Sequence, residues 1–227
     1  MQAGLPGPSR STILSTTKSW PGLKDIKLLV VLCVWKSLFH VLSPISTVMH
    51  SGDSFSSIGY SSSDPPPTSE QPLGIPFPGL TSCENVDETT DRVTYEPNWV
   101  GHFVQTVNNK RPGEAALRVR DYAVTGDTVA RMRRWQVRRE FLAHARAESE
   151  PTWSATDTLF VTWIGINDCS WNVRLKPPSV QPCFDDLFGA QEELYSAGAR
   201  NFCLVDVPPV HIFPSGMLIC RSGAYRY

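Results

Sequence analysis

Two strand-length apolar runs, each halted by a backbone breaker, constrain this chain more than any other feature. Thr158-Leu159-Phe160-Val161-Thr162-Trp163-Ile164 ends at Gly165, and Asn201-Phe202-Cys203-Leu204-Val205-Asp206-Val207 ends at Pro208-Pro209. Nearly unbroken apolar sequence of this length is what a strand buried on both faces needs, as in a parallel sheet covered by helices. Between the runs, Asp185 to Ala197 has helical character and is stopped by Gly198. Upstream, Leu117 to Val124 alternates like a strand, and Thr125-Gly126-Asp127 supplies its turn. Asp127 to Ala147 then reads as a helix with Val129, Met132, Trp135, Val137, Phe141 and Leu142 facing inward. Glu96 to Asn108 reads as a shorter helix opened by Pro97, burying Trp99, Phe103, Val104 and Val107. Strands alternating with helices predict an α/β fold, with right-handed connections and a ligand site at the carboxyl ends of the strands.

The remaining segments are less regular. Residues 1–27 are rich in Ser, Thr, Pro and Gly and read as a flexible lead-in. Residues 28–50 hold an apolar run from Leu28 to Trp35 that continues past Lys36, His40 and Pro44 toward Met49. Three readings stay open for it: a membrane contact through 28–49, a signal peptide with a poor cleavage site, and a buried first strand at Leu28 to Val34. Ser61 to Val93, with Pro65-Pro66-Pro67, Pro72, Pro76 and Pro78, reads as a long loop. The main domain is expected over 51–216, and 217–227 reads as a tail without helical period.

Composition removes several function classes. A net charge of −1 gives the chain no global bias toward nucleic acid. Arg131, Arg133, Arg134, Arg138 and Arg139 cluster locally, but Glu140, Glu148 and Glu150 lie among them, so a solvated helix face is the expected use. The six cysteines have neither C-x-x-C pairs nor the density of a disulfide scaffold, and no metal or other cofactor is expected.

What the strand ends carry is chemically specific. The three loops hold Gly52-Asp53-Ser54, Gly126-Asp127-Thr128 and Gly165-Ile166-Asn167-Asp168. In this order, each beside a strand, they resemble the blocks of the GDSL or SGNH-hydrolase esterases. Trp163 to Asp168 and Asp206-Val207-Pro208-Pro209 are similar to the fungal carbohydrate acetylesterase branch, and the resemblance runs from about Gly52 to Pro214. It implies a three-layer α/β/α sandwich around a central parallel sheet, flavodoxin-like and incomplete at the C-terminus. It also implies an extracellular monomer acting on small esters or acetylated carbohydrate. In such a site Ser54 is the nucleophile, and the amides of Ser54 and Gly126 with the Asn167 carboxamide receive the oxyanion. Asp53 and Asp168 are expected to brace loops. Trp163, Trp171, Tyr60 and Phe77 are candidates to stack on sugar rings.

The sequence departs from that family in two places. The family's base belongs to an Asp-x-x-His block, and no such spacing occurs in the 227 residues. His211 stands nearest to the expected position, with His40, His50, His102 and His144 as weaker candidates, so impaired catalysis or a non-catalytic, glycan-holding or membrane-anchored relative of the fold is the alternative. Upstream, Trp20 to Lys27 is similar to the usual approach to the first strand, yet about twenty residues intervene before Gly52. Residues from about Val31 to His50, and the tail after Gly216, are therefore expected to be non-cognate sequence.

Overall fold

The computed structural model describes residues 27–31, 44–80, 84–87, 89–90, 92–147, 153–172 and 179–209. Residues 1–26 of the lead-in, the tail, His40 and His211 lie outside them, and Lys27 belongs to a strand.

The sheet is built on β2, Thr47–Gly52, which pairs in parallel with β5, Arg118–Asp121, on one side and β6, Thr158–Trp163, on the other. Beyond β6 lies β7, Asn201–Val205, and beyond that β1, Lys27–Val31, giving the order β1-β7-β6-β2-β5 with every pairing parallel. This is the expected covered parallel sheet. The apolar run near residue 28 does contain a strand, but an edge strand, and it does not lead into Ser54. That task belongs to β2, whose residues 47–50 are all buried between two neighbours.

Thr47–Gly52 is the central strand of the sheet, so the strand that leads to Ser54 begins before the expected boundary at residue 51. Thr-Val-Met-His-Ser-Gly is a weak strand signal because its burial depends on a tertiary partner. His50 Nδ1 meets Asp121 Oδ1 at 2.8 Å with both side chains fully buried. Both ends of the 28–49 stretch are strands, and among the described residues no helix is long and apolar enough to cross a membrane.

Two faces of the sheet are covered by different helices. Met49 and Ser51 look toward Val137, Phe141 and Leu194, whereas His50, on the opposite side of the same strand, packs edge-on against Trp99 at 5.2 Å between ring centroids. The Trp99 side is α1, Trp99–Asn109, burying Val100, Phe103, Val104 and Val107. It starts later than Pro97 suggests because Asn98 is the cap: its Oδ1 accepts from Val100 N at 3.0 Å. The same side chain donates to Ser56 O at 2.8 Å and Ser57 O at 3.2 Å, so the cap also fastens the segment that follows Ser54.

The other face carries α2, a continuous helix over 129–147, and α4, Gln181–Ser196; the short α3, Ile166–Asn172, follows β6. Over Met132–Leu142 α2 is wound wide, and at its end Ala143 N–H donates to Arg138 O five residues back. That winding changes the inward face. Gln136 is fully buried, while Trp135, expected in the core, lies half-buried with the Arg134 and Arg139 guanidiniums each 5.0 Å from its ring centroid.

The expected solvated arginine face is also partly corrected. Arg133 bonds Asp186 at 2.8 Å and Glu193 at 2.6 Å, and Arg138 bonds Glu193 at 2.6 Å, tying α2 to α4. The Pro-rich loop, too, ends in an antiparallel hairpin, β3 Glu84–Asp87 with β4 Arg92–Tyr95, which the sequence reading missed.

Met132 sits at the centre of α2's packing with no exposed surface. Met132→Ala is expected to lower the unfolding free energy by about 2–5 kcal/mol in urea titration, the usual cost of a large cavity in a core that cannot collapse. On β7, burial pushes the Cys203 thiol up to about 12, so it stays protonated at ordinary pH. Cys169, Cys183 and Cys203 are free thiols.

Candidate active site

The chain leaves β2 for β5 on one side and then crosses to β6 on the other. The point where the direction reverses therefore lies between β2 and β6, and in open α/β sheets ligands occupy the crevice outside the carboxyl ends of that strand pair. Gly52-Asp53-Ser54 closes β2, and Gly165-Ile166-Asn167 follows β6. Val124 to Asp127 follows β5 on the adjoining side.

The turn after β2 is held from within. Ser56 N and Ser57 N both donate to Asp53 O at 3.0 Å, and Phe55 N donates to Asp53 Oδ1 at 3.1 Å. Gly52 is required here by close approach: a Cβ on it would stand 2.7 Å from both His50 Cε1 and Trp163 O. Gly126 is glycine for a different reason. Its φ is +81°, in the left-handed region, while nothing lies within 4 Å of an added Cβ, so its loop faces open space. Ser54 is half-buried, Gly126 exposed and Asn167 half-buried.

Three polar links draw these loops together. Asn167 Nδ2 donates to Asp127 O at 2.8 Å, joining the β6 loop to the β5 loop. Asp168 accepts from Val129 N at 3.0 Å and 3.2 Å, placing a carboxylate at the start of α2, where the helix dipole favours it. Gln136 pairs with both backbone groups of Gly52 and with Asp127 Oδ2, joining the β2 loop to the β5 loop. The remaining oxygen of Asp127 accepts from Arg131 Nε at 2.7 Å. Beneath them, Asp121 Oδ1 bonds His50 and also accepts from Ala123 N at 3.0 Å. His50 is thus a packed brace under the turn. His102 and His144 are exposed on α1 and α2.

An aromatic wall flanks Ser54. Phe55, exposed, stacks on Trp163 with centroids 5.6 Å apart and planes 13° from parallel, and Trp163 meets Trp99 at 5.9 Å. Trp99 Nε1 donates to Ser56 Oγ at 2.9 Å, which fixes that ring relative to the turn. Of the aromatic candidates, Trp163 is in this wall and Phe77 is exposed, whereas Tyr60 is buried against Tyr122. The side chain of Trp171 lies outside the described residues. Phe55 was missed, although its position directly after Ser54 was the available signal.

Burial pushes the Asp53 and Asp168 carboxyls above their ordinary range, against opposing hydrogen bonds from Phe55 N and Val129 N. Asp127 and Asp168 add repulsion at Asp53, and Asp53 Oδ2 is buried without a hydrogen-bond partner among the described residues. A raised carboxyl holds its proton in the folded state at pH values where the unfolded chain, with a value of 3.8, has lost it. Stability from Asp53 therefore declines as pH rises from 3.8 through the folded value, and acidification within that window restores it. Asp53→Asn keeps an acceptor for Phe55 N and removes the charge. Denaturant unfolding at a series of pH values should show the variant losing less stability than the unaltered chain across this interval, and parallel curves would contradict the assignment.

No protein-family model matches the sequence. An acetylesterase of Thermothelomyces thermophilus is 32% identical over 178 residues, covering 74% of this chain and 55% of that protein. The chain thus spans about half the length of the curated relative it matches. Among solved structures, an acetyl xylan esterase of Geobacillus stearothermophilus aligns with a TM-score of 0.41 and 17% identity, over 79% of this chain and 71% of that one.

Proposed function

We propose that the crevice between β2 and β6 is the site of a GDSL-type serine ester hydrolase acting on acetyl esters of carbohydrate. In this reading Ser54 Oγ attacks the acetyl carbonyl and the amides of Ser54 and Gly126, with the Asn167 carboxamide, receive the oxyanion. The carbonyl–oxygen bond to the sugar breaks, the Ser54 proton ends on the departing sugar oxygen, and water then releases acetate from the acyl-serine. The observation that carries the reading is the cross-bonding of three loops at the reversal point, through Gln136 and through Asn167 to Asp127 O. Similarity to an acetylesterase supports an esterase family and an acetyl group. Carbohydrate is favoured by the Phe55–Trp163 wall beside the nucleophile, since stacked aromatic faces suit the C–H faces of a sugar ring. An extracellular location accords with that similarity, and a monomer is proposed with it.

The reading assigns no general base, because no Asp-x-x-His spacing occurs in these residues, and acyl transfer is expected to be slow. Hydrolysis of p-nitrophenyl acetate, compared with that of p-nitrophenyl butyrate, tests the acyl group, and acetate release from acetylated xylo-oligosaccharides tests the alcohol. Acetyl esters should be preferred, and faster cleavage of the butyrate would refute the acetyl assignment. The aromatic wall also suits a second reading, a site that holds glycan without turnover. Saturable binding of the oligosaccharide with no acetate released would favour it.

A further inference from the structure

We infer that Gln136 is a positioning residue for the acyl-oxygen site, an inference that rests on the functional reading above. It lies on α2, away from the strand-end motifs, and its side chain is fully buried. Burying a carboxamide is unfavourable unless its bonds are made, and all of these are short: Oε1 accepts from Gly52 N at 2.9 Å, and Nε2 donates to Gly52 O at 2.8 Å and to Asp127 Oδ2 at 2.8 Å. Gly52 is two residues before Ser54, and Asp127 is next to Gly126. Asp127 O is in turn the acceptor for Asn167. One continuous chain of hydrogen bonds, Gly52 to Gln136 to Asp127 to Asn167, therefore runs through the loops of all three oxyanion donors.

The ladder explains why a side chain is needed at this point. The pairing of β2 with β5 ends at His50 and Asp121, so that side of the sheet opens just before the nucleophile turn. Val124 N reaches Gly52 O at 3.2 Å, and Gln136 supplies the remaining contacts. Gln136 reaches them from the widely wound part of α2, a geometry that recurs at functional sites. The residue type follows from the partners, which are one backbone donor and two acceptors. A carboxamide serves them all. An ionised Glu has no proton to donate and would face the Asp127 carboxylate, and Met fills the space without bonding.

Gln136→Met and Gln136→Glu test the inference through acetyl ester kinetics corrected for folded fraction. Gln136→Met is expected to lower kcat by about 10²-fold, comparable with loss of one oxyanion donor, while KM changes little. The rate of Gln136→Glu relative to the unaltered chain should rise as pH falls through the carboxylate range, because protonation returns a donor, whereas the Met variant's ratio stays flat. An unchanged kcat, or flat ratios for both variants, overturns the inference.

Hydrolysis that is equal in the unaltered chain and in Ser54→Ala would instead defeat the functional reading. The bracing of the turn is then judged by amide hydrogen exchange. Gln136→Met should speed exchange at Gly52 selectively over Cys203 on β7, and equal protection factors in the variant and the unaltered chain would refute it.

Discussion

Ser54→Ala is expected to reduce acetyl ester hydrolysis to the uncatalysed background while leaving the fold intact. The hydroxyl is the only protein group in the proposed mechanism that forms a bond to the acyl carbon. Nothing in the oxyanion site replaces it, and in a complete triad enzyme loss of the nucleophile costs on the order of 10⁶ in kcat. Here the starting rate is expected to be lower, since no base is assigned, so the measured fall is set by how far the unaltered chain stands above background. Ser54 is half-buried and contributes no apolar core, so thermal unfolding should shift little. Titrated acetate release with matched melting curves measures both.

Asn167→Ala should lower kcat by about 10² to 10³, the usual cost of one oxyanion donor, with a smaller change in KM. The side chain has two N–H groups; one is committed to Asp127 O, and the other is the donor that the proposed mechanism assigns to the oxyanion. Truncation also removes that link between loops, at about 1 kcal/mol of stability. Asn167→Asp separates the two effects. A carboxylate there would repel both Asp127 O and a developing oxyanion, so it should be slower than alanine despite its closer shape. An Asp variant faster than the Ala variant would mean that residue 167 does not face the acyl oxygen.

Much of this arrangement was legible in the sequence because local rules and tertiary packing agree. The runs ending at Gly165 and before Pro208 are strands since both of their faces are apolar, and the left-handed Gly126 marks a turn whatever surrounds it. What the sequence concealed is polar and long-range. β2 was obscured because His50 is a poor core residue until Asp121, 71 positions away, pairs with it. Gln136 was invisible for a related reason: a 3.6-residue period turns Trp135 inward, and only the wider winding of α2 brings the carboxamide to Gly52. Phe55 was overlooked because exposed aromatics carry no periodic signal, although stacking on Trp163 gives it a fixed place. The hairpin at Glu84–Asp87 and Arg92–Tyr95 was hidden by the prolines before it, which break regular structure only where they stand.

The proposed mechanism depends on one hydroxyl standing beside the oxyanion donors where three loops meet, and covalent labelling reports on that without needing turnover. Incubation with diethyl p-nitrophenyl phosphate followed by peptide mapping should place a single diethylphosphoryl group on the peptide containing Ser54, with labelling slowed in Asn167→Ala. Modification spread over several hydroxyls, or none at Ser54 in the folded chain, would contradict it.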